Sequence, residues 1–347
     1  MATELVDDIF ETDPLEFTRE VKESTAAIYE RLRPVVPELE WPVHAPYIAA
    51  INRLKLERKA VILAHNYQIP PVFHGVADIT GDSLALAREA ARTDAEVIVV
   101  CGVHFMAETA KILNPDKTVL IPDASAGCSL ASSITAADVR ELRRRHPGVP
   151  VVTYVNTSAE VKAASDVCCT SANAVEIVNA LGADRVLFLP DEYLGRYVAA
   201  HTDVKIILWK GHCEVHERFT AEDMRFYRSS YDDLMILAHP ECPPEVLQEA
   251  DYIGSTSGMI RKIAEGKPRR ALLVTECSMS DNVTVEHPQV EFIRPCNLCP
   301  HMKTITLPKI LHSLRTWTHE VKVEPVVAQR ARRAVQRMLE LTPRPKS

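Results

Sequence analysis

The sequence has no surplus of positive charge: 40 Lys and Arg stand against 47 Asp and Glu, for a net charge of −7. A surface without a basic excess does not attract a phosphate backbone, so nucleic acid is not an expected partner. No apolar run is long enough to cross a bilayer, and no membrane association is expected. The opening Met1-Ala-Thr-Glu-Leu-Val-Asp-Asp lacks the basic start and apolar core of a secretory signal, which makes the cytoplasm the expected address. Neither a G-x-G-x-x-G fingerprint nor a G-x-x-x-x-G-K-S/T loop follows any strand-like run, so dinucleotides and nucleoside triphosphates are not indicated.

What is present is a globular chain of 347 residues, 46% hydrophobic, with room for two average domains or three small ones. Short β-branched runs at 60–64, 96–100, 118–121, 151–155, 185–189, 205–208, 234–237 and 271–274 alternate with helical stretches. Apolar strands without polar alternation, set between helices, predict parallel sheets covered on both faces and hence the α/β class. An amphipathic stretch around Phe17–Leu32, closed by the Pro-rich segment 33–42, precedes this region. An Arg-rich helical pattern (Val326, Val327, Ala331, Val335, Met338, Leu339) and a Pro-rich tail follow it.

Internal register suggests a threefold repeat. The runs AVILAHNYQ, VVTYVNTSAE and LMILAHPEC place His65 and Tyr67, Tyr154 and Asn156, and His239 and Glu241 just past a strand end. The polar turns DITGDSLALAREA, DVCCTSANAVEIV and DYIGSTSGMIRKI then open helices with Ser83, Ser171, and Ser255 with Thr256. Each unit closes on a strand or loop carrying a cysteine, and Cys128, Cys213 and Cys299 are spaced 85 and 86 residues apart. Ligands of open α/β sheets bind beyond the carboxyl ends of the strands, where all of these residues fall.

Nine cysteines in a reducing compartment favour metal binding or catalysis over disulfides. Three thiolates meeting at one point suit a [4Fe-4S] cluster with one iron left open, an arrangement that a Lewis-acid catalyst needs. Zinc is the rival: Cys296-x-x-Cys299 is half of a structural site and Cys213 with His216 could complete it, though Cys128 is then unexplained. Cys101, Cys168, Cys169, Cys242 and Cys277 show no ligand spacing and are expected to pack. Pro300 suggests that Cys299 caps a helix, which favours it over Cys296 as the third ligand. Hydroxyls at helix N-termini suit phosphate or carboxylate, and His65, Tyr67, Tyr154, His239 and Glu241 form an acid–base set beside the open iron.

The segments AHNYQ (64–68), GDSL (81–84), MAETAKILNP (106–115), YVNTSAEVKA (154–163), TSANAVEIV (170–178), KGHCEVH (210–216), HPEC (239–242), STSGMI (255–260) and CPHMK (299–303) resemble the quinolinate synthase family across nearly the whole chain. The resemblance implies three homologous three-layer αβα domains with short parallel sheets around a pseudo-threefold axis, and a cluster at their junction. With that fold the chain divides into a helical lead-in (1–45), three αβα domains (46–130, 131–215 and 216–303) and C-terminal helices (304–347) packing back on the first domain.

The reaction it implies condenses iminoaspartate with dihydroxyacetone phosphate to quinolinate, the pyridine precursor of NAD, with an aspartate-oxidising enzyme supplying the iminoaspartate. By motif, Cys128, Cys213 and Cys299 match the ligands of one [4Fe-4S] cluster per chain. His65, Tyr67, Tyr154, Asn156, His216, His239 and Glu241 match the substrate and catalytic set, with Glu241 as general base and Tyr67 and His65 assisting dehydration. Ser83, Ser171 and Thr256 match contacts to phosphate or carboxylate, and Ser255 in the third turn is expected to bind substrate beside them. Two other classes remain open to such a sequence: a different hydro-lyase using an open cluster iron, which needs no phosphate site, and a non-catalytic iron–sulfur sensor, which needs no Glu241.

Overall fold

The computed structural model describes residues 15–342; the acidic opening and the Pro-rich tail from 343 lie outside them. The chain is α/β, and its described residues form three parallel sheets of four strands each. β1 (Ala60–His65), β2 (Ile79–Gly81), β3 (Val97–Cys101) and β4 (Thr118–Leu120) pair in the order β2-β1-β3-β4. β5 (Val151–Tyr154), β6 (Val167–Cys169), β7 (Arg185–Leu189) and β8 (Lys205–Leu208) pair as β6-β5-β7-β8, and β9 (Leu234–Ala238), β10 (Tyr252–Ile253), β11 (Arg270–Val274) and β12 (Glu291–Ile293) as β10-β9-β11-β12. All pairings are parallel. Burial on both faces explains the unbroken apolar strands: every residue of Val97–Cys101 is buried.

The repeat extends to a contact that the sequence pattern did not reveal. Asp78, Asp166 and Asp251 each donate a backbone N–H to the first strand of their unit, at Ile62, Val151 and Ile236. Each carboxylate then accepts the amide of that same residue, at 2.8, 2.7 and 2.8 Å. Lys55, Arg143 and Arg228 neutralise the three in turn, at 2.7, 2.8 and 3.2 Å. These aspartates sit immediately before β2, β6 and β10, the two- and three-residue edge strands that open the segments expected only as polar turns. So short a strand carries no periodic signature of its own and exists because its neighbour offers a ladder.

Outside the sheets, the amphipathic stretch before residue 33 is two helices, Arg19–Ser24 and Ala26–Leu32. They part at Thr25, whose hydroxyl bonds the Val21 carbonyl at 2.7 Å. The long helix Trp41–Glu57 begins inside the Pro-rich segment, because Pro42 falls in the first turn, where an N–H has no intrahelical partner to lose. The C-terminal helices divide: Leu307–Thr316 packs on Trp41–Glu57, whereas Pro325–Leu341 lies mainly against Ala159–Ala163 and β6 of the second sheet. Among the described residues, no helix is long and apolar enough to cross a membrane.

Candidate active site

The carboxyl ends of β1, β5 and β9 face one cavity. His65, Tyr67, Ser83, Cys128, Tyr154, Asn156, Ser171, Cys213, His216, His239, Glu241, Thr256 and Cys299 all line it. Ser255 does not. Its hydroxyl caps the helix Thr256–Gly266 by accepting the Gly258 amide, and it donates to Asp82 at 3.3 Å, so helix capping uses the group that the sequence offered to an anion.

At the centre lies Glu241, 3% exposed. The Tyr154 hydroxyl donates to its Oε1, and His216 Nδ1 lies 2.9 Å from its Oε2. Burial alone would raise this carboxyl, but His239 and His216 beside it, with the hydrogen bonds from His216 and Tyr154, hold it well below the usual carboxylate range. Two acceptors, the Glu241 carboxylate and Cys213 Sγ at 3.1 Å, face His216 Nδ1, which places the ring proton there. Nε2 is then an acceptor for the Thr275 hydroxyl at 2.9 Å, and Thr275 in turn accepts from Tyr67 at 2.5 Å. Burial first, then the Glu241 charge, push the Tyr67 and Tyr154 hydroxyls well above their ordinary range, so both remain proton-bearing donors.

His65 and His239 share a local geometry imposed by the strand ends. The amide two residues on donates to Nδ1, Tyr67 to His65 at 3.2 Å and Glu241 to His239 at 3.4 Å. Each ring therefore carries its proton on Nε2; His239 donates it to Ser171 at 3.1 Å. Burial lowers the two imidazoles to about 4 and about 3, so they act as neutral donors. Among the described residues no Lys or Arg lines the cavity, and an anion there would meet N–H and O–H groups instead of fixed cations. Asn156 Oδ1 is buried on the wall without a hydrogen-bond partner.

The three thiols are held alike. Cys128 Sγ faces the amides of Leu130 and Ala131, Cys213 those of Val215 and His216, and Cys299 those of His301 and Met302. Burial raises all three, Cys128 to about 12, while the paired amides favour the anion. Cys128 stands at the N-cap position of the short helix Ser129–Ser132. Cys299 caps no helix: Pro300 and His301 form a turn that leads into the 3-10 segment Met302–Thr304, and the amides of that turn take the place of a helix end. Cys296 is bonded to Cys277, neither to Cys299 nor free, because the parallel bridge between Glu276 and Asn297 sets their neighbours side by side. The zinc alternative thereby loses half of its ligand pair.

Thr275, Glu276 and Lys303 were absent from the sequence-derived set. The first two follow the end of β11, so the rule that selected residues past β1, β5 and β9 would have found them if extended to the third strand of a unit. Lys303 follows no strand end; its signal is its place at the end of the segment CPHMK (299–303).

The pattern of the family described as Quinolinate synthetase A protein matches residues 49–340. Over 333 residues the chain is 60% identical to a quinolinate synthase of Sinorhizobium fredii, covering 96% of this chain and 93% of that one. It is 64% identical to quinolinate synthase 1 of Mesorhizobium japonicum over 316 residues, 91% and 98% of the two chains. A quinolinate synthase of Caulobacter vibrioides is 57% identical over 331 residues, 94% and 90% of the two.

Proposed function

The chain belongs to the quinolinate synthase family, and from that premise we propose that it condenses iminoaspartate with dihydroxyacetone phosphate into quinolinate, phosphate and two waters, for NAD biosynthesis. The observation that carries the reading is the wall of three amide-faced thiols around a buried, ionised Glu241. One [4Fe-4S] cluster per chain fits this donor set, held by Cys128, Cys213 and Cys299. Among the described residues, the one trio of ligand atoms close enough for a single ion is Cys213, His216 and Glu241, within 4.8 Å of one another; Cys128 and Cys299 stand outside it. Thiols spread around a cavity suit a polynuclear group better than a lone ion.

The two substrates and the products balance in atoms without any net oxidation, so no electron carrier is required. What the cluster supplies when bound is an iron without a protein ligand, acting as a Lewis acid. The remaining work falls to side chains. Neutral His65 and His239 present N–H donors, and with Ser83, Ser171 and Thr256 they bind carboxylate and phosphate groups. Glu241 takes protons from carbon acids as general base. Tyr67 gives a proton to a departing hydroxyl, and Thr275, whose own hydroxyl proton can turn from His216 Nε2 to the phenolate oxygen, stabilises the anion left behind, with Glu241 fixing the His216 tautomer. Iminoaspartate hydrolyses readily, which calls for a partner enzyme that oxidises aspartate nearby; the cytoplasm is the fitting compartment.

The test is an anaerobic assay in which the reconstituted protein receives freshly generated iminoaspartate and dihydroxyacetone phosphate. Formation of a pyridine dicarboxylate and of inorganic phosphate in equal amounts is expected. A brown, cluster-loaded protein that forms neither would favour the sensor reading, and one that dehydrates a hydroxy acid instead would favour the hydro-lyase.

A further inference from the structure

Glu276 is wholly buried, and its carboxylate binds its own loop at Ser278 and the Cys299–Lys303 loop at two points. Oε1 accepts the Cys299 amide at 3.3 Å and pairs with Lys303 Nζ at 2.8 Å; Oε2 accepts the Ser278 amide at 2.9 Å. Lys303 reaches on to the Tyr67 carbonyl at 2.7 Å, and its own amide returns to the Cys299 carbonyl at 3.2 Å. The loop carrying the third thiol is thus tied to the loop carrying Tyr67 through the Lys303 ammonium, beside a bond from Gln68 to the Met302 carbonyl at 3.3 Å, and to the end of β11 through the Glu276 ion pair. The residue before Glu276 is Thr275, which bonds the Tyr67 hydroxyl.

We infer that Glu276 and Lys303 are positioning residues that set the third cluster ligand against Tyr67 and cancel each other's charge beside it. A lone carboxylate or a lone ammonium buried here would be costly, and either would bias the electronics of a group bound at Cys299. Paired, they hold the loop without adding net charge. The inference rests on the assignment of a cluster to Cys128, Cys213 and Cys299.

The experiment reads the cluster, not turnover. Wild type, Glu276→Gln, Lys303→Arg and the double variant Glu276→Gln/Lys303→Met are reconstituted anaerobically, and their iron and sulfide content, reduction potential and rate of iron loss to a chelator are measured. Glu276→Gln leaves the ammonium uncompensated, so its potential should rise and its iron should leave severalfold faster. The double variant, with neither charge, should return the potential toward wild type. Lys303→Arg keeps charge and reach and should hold the wild-type potential.

A Glu276→Gln protein that loads no cluster while the double variant does would support the inference equally. It is overturned by an unchanged potential in loaded Glu276→Gln, by a double variant shifted further in the same direction, or by a shifted Lys303→Arg. A wild-type protein that takes up no cluster would overturn the cofactor assignment as well.

Discussion

Tyr154 ends β5 and Glu241 follows β9, 87 residues further on, and the hydroxyl of one donates directly to the carboxylate of the other. Through this contact the second unit meets the third. It also gives Glu241 a second donor besides His216, so an ionised carboxylate persists in a pocket that would otherwise neutralise it.

Glu241→Gln should keep the fold and the cluster while lowering kcat by on the order of 10²–10⁴-fold, the range ascribed to a positioned acid–base group. The amide matches the shape, accepts from Tyr154 and cannot take a proton. A kcat within a fewfold of wild type would remove Glu241 from the base role.

Thr275→Val is nearly the same size but breaks the bridge between Tyr67 and His216. Turnover should fall by about 10-fold or more, with substrate affinity much less affected, whereas Thr275→Ser should retain most activity. Equal activity of the Val and Ser variants would show that the Thr275 hydroxyl plays no part in the step.

Cys299→Ser should abolish cluster loading, and Cys296→Ser should preserve it, since Cys296 is engaged with Cys277 and not with the cavity. Anaerobic iron and sulfide content with visible absorption decides the matter. The reverse pattern would transfer the third ligand to Cys296.

Ser171→Ala and Thr256→Ala should each weaken dihydroxyacetone phosphate by about 1 kcal/mol, the usual worth of one hydrogen bond, and inorganic phosphate should compete with that substrate. Unimpaired binding in the double variant would confine these hydroxyls to the contacts seen here, Ser171 with His239 and Thr256 with Asn66.

His74 is not among the residues lining the cavity, and its Nε2 donates to the Asn282 carbonyl at 3.2 Å. Burial, aided by Arg31, lowers it to about 4. The unfolded chain takes this proton near pH 6.5 and the folded chain resists it, so the unfolded state holds more protons between those values. Stability should therefore fall as pH drops from about 6.5 toward 4, by up to about 1.4 kcal/mol per unit from this residue. Urea denaturation of cluster-free protein at pH 7 and pH 5.5 should show a smaller loss for His74→Gln than for wild type; identical losses would acquit the histidine.

The strand ends bearing His65, Tyr154 and His239, the α/β class and the even spacing of Cys128, Cys213 and Cys299 were legible in the chain by itself. Each is a property of consecutive residues or of their period, and burial on both faces of a parallel strand writes itself into a short run of apolar side chains. The edge strands β2, β6 and β10 were not legible, since two or three residues hold no period. Nor were the partner of Cys296, the capping duty of Ser255, or the place of Thr275 between Tyr67 and His216. Tyr67 and Thr275 are 208 residues apart, and no local rule relates them. Only the packing of three sheets around one cavity brings their hydroxyls together, because contacts over such separations are chosen by how buried surfaces fit.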